Sequence, residues 1–233
     1  MERTDLIPST NRRSFLGTLA GSAAALSLAG FSAPLQAMAG DHQLLTPISD
    51  DPDDWFNKIN GKHRIVFDVV EPNGVMPFAW PRVFLLTNAA TGTPEKESSV
   101  VVVLRHEGIP YAMNSSLWTK YNFGKVFKID DDKTKQPSVR NAFYKPDAGD
   151  FQIPGIGPVS IGINELQDSG VMFCVCNMAM TVYSAAIAQQ MNLNPKDVYN
   201  EFRAGVLPGI EVVPSGVWAV GRAQEHKCAY CRV

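Results

Sequence analysis

The chain has 233 residues, 21 of them Lys or Arg against 23 Asp or Glu, for a formal net charge of −2. That balance excludes the strongly basic surface on which nucleic-acid binding depends. The length and the 45% hydrophobic content suit one compact domain with a substantial core.

The amino terminus bears on where the protein works. Residues 10–17 read TNRRSFLG, a mild apolar stretch rich in Ala, Gly, Ser and Leu runs from Phe15 to Phe31, and Ala37-Met38-Ala39 offers a small-residue cleavage site before Gly40. Paired arginines, a weakly apolar region and an A-x-A site in that order predict a twin-arginine export signal over residues 1–39. The stretch is interrupted by Gly17, Gly21 and Gly30. It falls short of the ~20 strongly apolar residues of a membrane anchor. The expectation is export to the periplasm through the twin-arginine translocase. The remaining domain, 40–233, has 194 residues and a net charge of −3, since three arginines and two acids leave with the signal. All four cysteines stay with it, in a compartment that permits disulfides.

In chain order, Arg64 to Val70 is a β-branched run stopped by Pro72-Asn73-Gly74 and predicts a strand. Residues 77–92 carry apolar residues at helical spacing, with Pro81 early and Gly92 as a stop. Residues 98–108 contain Val100-Val101-Val102-Val103-Leu104, the pattern of a strand covered on both faces. A helix is expected over 109–124, after Pro110. Residues 125–158 are charged and rich in Pro and Gly, and read as an inserted surface excursion. A helix over 160–170 and a third core strand, Val171 to Cys176, follow.

Met178 to Met191 is helical by spacing, and 194–205 starts another helix with Asn194 as N-cap and Pro195 at its first position. Ile210 to Val213 predicts a short strand, 217–226 a helix capped by Ser215, and 227–233 a last strand. Strands alternating with helices predict an α/β fold, a three-layer α/β/α sandwich with a largely parallel sheet of about five strands.

Chemistry concentrates in the sulfur residues. Cys176 ends a strand, and ligands of open α/β sheets collect at the carboxyl ends of strands. With Asn177 capping the next helix, the Cys176 sulfur would meet free N–H groups and the positive end of a helix dipole, which favours thiolate. A thiolate attacks disulfides and accepts sulfane sulfur; a thiol does neither well. A small buried hydrophobe is the competing reading. Cys174 faces the same side about 6.5–7 Å back along the strand. It can serve as a resolving thiol, a second ligand or plain packing.

Cys228-Ala229-Tyr230-Cys231 has Cys-X-X-Cys spacing, although on a strand residues three apart face opposite sides. Cys174, Cys176, Cys228 and Cys231 together could supply four thiolates to a metal such as zinc or to an iron–sulfur centre. They could instead form disulfides if the last strand lies beside the one ending at Cys176. No cofactor is otherwise expected. Asp130-Asp131-Asp132 sits among lysines without a calcium-loop pattern and reads as a solvated charge run.

The segments GVMFCVCNMAMT, VVVVLRHEGIPYAM and above all VLPGIEVVPSGVWAVGRAQEHKCAYC resemble the DsrE/DsrF-like sulfur-relay family over roughly residues 63–233, apart from the excursion. The resemblance implies a three-layer sandwich assembled as a homo-oligomer, with Cys176 relaying persulfide sulfur between a donor and an acceptor protein. His106, at the end of the second strand, resembles the family's strand-end His-Gly and would support the thiolate or act as acid/base; a solvated rim histidine is the competing reading. Cys174 and the terminal cysteine pair are additions to the family pattern. The expectation is an exported protein that accepts or relays sulfane sulfur, or exchanges thiols, through Cys176. The alternative is a non-enzymatic periplasmic binding or assembly module whose cysteines are structural.

Overall fold

The run Ser98–Leu104 forms β2 with six of its seven residues buried, because apolar side chains on both faces of a central strand must each find a cover. The computed structural model describes residues 53–153 and 155–233; the export signal expected over 1–39 lies outside them. Five strands make one sheet: β1 (His63–Val69), β2, β5 (Met172–Cys176), β6 (Ile210–Val213) and β7 (Ala229–Arg232). Their order is β6-β5-β2-β1-β7, and every pairing is parallel. A separate two-stranded antiparallel hairpin joins β3 (Gln152–Ile153) to β4 (Gly157–Pro158).

Period-2 alternation sorts the sheet's side chains between two cores. Phe67, Val100, Val102, Leu104, Phe173 and Val175 join the larger core. There they meet α1 (Met76–Ala90), α4 (Ile163–Asp168), α5 (Asn177–Met191) and α6 (Pro195–Ala204). Val66, Val101, Val103, Cys174 and Val213 join the smaller core. It is closed by Phe56 of a short 3-10 turn (Asp54–Lys58) and by Ala219 and Ala223 of α7 (Gly216–Glu225). The architecture is a three-layer α/β/α sandwich on an all-parallel sheet.

Two expected elements differ. In place of one helix over 109–124 there is a 3-10 segment, His106–Ala112, then α2 (Ser115–Lys120) and α3 (Phe123–Val126). Pro110 lies inside the 3-10 segment, Asn114 is extended and caps α2, and Asn122 is left-handed at φ 52°, so three local preferences divide the stretch. The segment 125–158 is not a surface excursion throughout. Phe127, Ile129 and Phe143 are buried in the larger core, Phe143 stacks on Phe78 and Phe151, and buried Asn141 donates to the carbonyls of Tyr111 and Met113. Aromatic anchors tie its polar chain to the domain.

Asp131 likewise departs from a solvated run. It is buried and accepts from the N–H groups of Lys133 and Thr134 and from Arg140. Burial works against its charge, yet those donors hold its carboxyl below the usual carboxylate range.

Candidate functional site at the carboxyl rim of the sheet

β5 ends at Cys176 and α5 begins at the next residue, so the sulfur stands where a strand hands over to a fifteen-residue helix. Cys176 itself is the N-cap: its Sγ accepts the Ala179 N–H at 3.2 Å. Asn177, expected to be the cap, instead turns its buried side chain to accept from the Tyr199 hydroxyl at 2.7 Å. The backbone N–H of Gly216, first residue of α7, also acts on the sulfur. So does that of Met178, whose hydrogen bond goes to the Pro214 carbonyl at 3.2 Å.

A polar line runs from this sulfur across the rim. Leu104 pairs with Val175, so Arg105 and Cys176 are the next residues along adjacent parallel strands. Arg105 is extended at φ −135° and continues β2. Its Nε and Nη2 donate to the two carboxylate oxygens of Asp68 at 2.6 and 2.8 Å. Asp68 belongs to β1 and is 1% exposed; Tyr230 of β7 donates its hydroxyl to Asp68 Oδ2 at 2.8 Å. Cys176, Arg105, Asp68 and Tyr230 thus stand on four neighbouring strands, β5, β2, β1 and β7.

Gly216 closes the line from above. A Cβ there would come within 2.4 Å of Arg105 Cβ, so glycine is what lets α7 rest on the arginine while directing its N–H to Cys176. The ion pair with Asp68 raises the Arg105 pKa, and the Cys176 sulfur adds to that.

Burial pushes the Cys176 thiol above its ordinary value. The N–H groups of Ala179, Gly216 and Met178 and the charge of Arg105 pull it down without overcoming that effect. The expected donors are present, but the resting group is a thiol. The reason is that a strand end covered by two helix starts and an arginine is dry, and a thiolate there loses its hydration.

The other sulfur residues separate. Cys174 is fully buried in the smaller core, where burial drives its pKa well up, with Cys176 and Glu211 adding to it. Cys228 lies in the same core, its thiol pushed up by burial to about 11 despite Arg64. Cys231 is half-buried and packs against the larger core, so the terminal pair divides between the two faces of the sheet. All four are free thiols.

β7 is separated from β5 by β2 and β1. At ~4.8 Å per strand step, the two cysteine pairs are about 14 Å apart. The last strand does not lie beside the one ending at Cys176, which removes the disulfides that adjacency would have allowed, and the four thiolates do not share one metal. Among the described residues no three His, Cys, Asp or Glu side chains converge as a ligand set.

His106 is exposed and left-handed at φ 50°. Its Nδ1 is 3.5 Å from the Tyr183 hydroxyl, and it makes no hydrogen bond to Cys176.

No protein-family model matches the chain, and no curated protein matches it. Among solved structures, a protein of unknown function from Methanobacterium thermoautotrophicum is similar, with a TM-score of 0.38 and 18% identity, covering 74% of this chain and 100% of that one. A likeness at that level says nothing about chemistry, which rests on the site itself.

Arg105, Asp68, Tyr230 and Gly216 are the residues that sequence reasoning passes over. One signal is present: Asp68 interrupts the apolar run Ile65-Val66-Phe67-Asp68-Val69-Val70. A carboxylate in such a strand requires a cation or donors beside it.

Proposed function

We propose that the protein accepts and passes on sulfane sulfur through Cys176, in the periplasm to which its amino-terminal segment would direct it. The observation that carries this reading is the setting of Cys176. A strand-end sulfur accepts one helix-start N–H, feels two more and lies one strand from an arginine. Those are the groups that stabilise negative charge on sulfur, both in an attacking thiolate and in a persulfide anion. The resemblance to the sulfur-relay family supports the same assignment.

The step balances without an external oxidant. The Cys176 thiol gives up its proton, and the thiolate attacks the outer sulfur of a persulfide or polysulfide donor. The donor's S–S bond breaks as the new one forms, and its leaving sulfur departs with the electron pair as a thiolate. Transfer onward repeats the exchange with an acceptor thiolate. Burial of Cys176 makes deprotonation the costly event, so loading should accelerate with rising pH.

Incubation of the purified protein with a soluble polysulfide, followed by peptide mass spectrometry, tests this. The expected result is one added sulfur on Cys176, absent in Cys176→Ser and retained in Cys231→Ser. Sulfur carried as well by Cys176→Ser would overturn the assignment. Cys174 and Cys228 are different: their enclosure in the smaller core fits packing roles.

A further inference from the structure

Cys176 has a charged neighbour, Arg105, whose placement is fixed from three sides. Arg105 follows Leu104 on β2 as Cys176 follows Val175 on β5, and Leu104 pairs with Val175, so both side chains leave the sheet on the same face. Asp68 shares that face, because it pairs with Val103, two residues before Arg105. Val103 and Cys174, which pair with each other, belong to the smaller core on which α7 lies; Cys176, at the rim, packs against the larger core while also meeting the Gly216 N–H of α7. The Asp68 carboxylate occupies the Nε and Nη2 edge of the guanidinium, and Tyr230 holds the carboxylate in turn. Gly216 packs on the aliphatic part of the arginine. Nη1 donates to no described residue.

We propose that Arg105, held by Asp68 and Tyr230, is the positioning residue that lowers the cost of placing negative charge on the Cys176 sulfur. This rests on Cys176 being the reactive sulfur, as proposed above, but not on sulfur being what it carries.

Of the groups that favour a Cys176 thiolate, Arg105 is the one that carries a full positive charge. From α5 and α7 come the backbone N–H groups of Met178, Ala179 and Gly216, which are fixed and do not titrate. From β5 comes Cys174, whose burial keeps it a neutral thiol. Glu211 of β6 pairs with Cys174 rather than with Cys176, whose register partner on β6 is Val213. His106 is within reach of Tyr183, and Glu107 acts on the same tyrosine. Asp68 would oppose a thiolate, but the guanidinium it binds stands on the intervening strand and compensates it. An arginine suits this place better than a lysine, because a fork engaged by both carboxylate oxygens keeps its plane fixed.

The test is the pH profile of iodoacetamide alkylation, resolved to Cys176 and Cys231 by peptide mass spectrometry on the whole protein. Arg105→Gln should move the Cys176 midpoint to higher pH. A midpoint raised by about one pH unit slows alkylation about tenfold at a fixed pH below both midpoints. Arg105→Lys, which keeps the charge but not the fork, should bring the midpoint part of the way back. Because Arg105→Gln leaves Asp68 as an unpaired buried charge, the double variant Asp68→Asn with Arg105→Gln gives a neutral, hydrogen-bonded pair that preserves the fold if the single variant does not. A Cys176 midpoint unchanged in folded Arg105→Gln, or the same in the double variant as in Asp68→Asn alone, overturns the proposal, as does an equal displacement at Cys231 on the far edge strand. Sulfur loading is read separately, so failure of the relay leaves this result standing.

Discussion

Two of the four thiols, Cys174 and Cys228, are shut into the smaller core, and that has a consequence for stability in alkali. An unfolded cysteine loses its proton at pH ~8.5, whereas in the folded chain Cys228 holds it until about 11 and Cys174 beyond the ordinary range. Below the unfolded value both states are protonated and the burial contributes in full. Between the two values the unfolded state binds fewer protons, so stability falls as pH rises and is lost through the folded value. Urea midpoints should therefore drop as the pH rises from about 8 to about 10.5, and drop less in Cys228→Ala. An identical slope in that variant would show that Cys228 does not contribute.

At the same scale, the position of Cys176 is legible because a sulfur at a strand-to-helix junction needs only local sequence to be seen. Its charge is not. Whether N–H donors or desolvation wins depends on Gly216 and Arg105, which are distant in the chain and meet only in the fold. The capping role expected of Asn177 fails for the same reason: a hydroxyl twenty-two residues on, that of Tyr199, competes for its side chain.

Among elements, those whose ends are set by neighbouring residues agree with the sequence. Asn194 caps α6 through Lys196 and Asp197, and Ser215 caps α7 through Trp218, both by side-chain oxygens accepting helix-start N–H groups. The segment after α2 does not agree, because its aromatic anchors are spaced irregularly among Pro, Gly and charge and show no period. Its attachment is tight at Gly124 in α3, where a Cβ would lie 2.3 Å from the backbone N and O of Ser138. Backbone cannot step aside as a flexible side chain can. Gly124→Ala should thus destabilise the protein by about 1–3 kcal/mol or more in urea unfolding. Gly221→Ala, inside α7 with nothing within 4 Å of the new atom, should instead stabilise by roughly 0.5–1 kcal/mol through helix propensity. Equal effects at the two positions would contradict the packing described for α3.

Over the whole molecule, strand order decides what the cysteines can do together, and strand order is what alternation of strands and helices leaves open. The chain leaves β1, adds β2 beside it, continues outward to β5 and β6, and then returns to the free side of β1 with β7. A sequence in which the last strand followed β6 outward, or inserted beside β5, would have the same local pattern. The return to β1 brings Tyr230 to Asp68 and so completes the polar line, while it removes Cys228 and Cys231 from Cys176 by three strand steps. A disulfide needs Cβ atoms about 3.5–4.5 Å apart. Cys174 and Cys176 project in parallel from one strand at roughly 6.5–7 Å, and Cys228 and Cys231 pack on opposite sides of the sheet. No intramolecular pair among the four meets the requirement, even in an oxidising compartment. Protein isolated without reductant, with free thiols blocked only after denaturation, is therefore expected to titrate four thiols per chain. A disulfide joining Cys228 or Cys231 to Cys174 or Cys176 would mean that β7 does not lie beside β1, and the Asp68–Tyr230 contact at the rim would have to be abandoned with it.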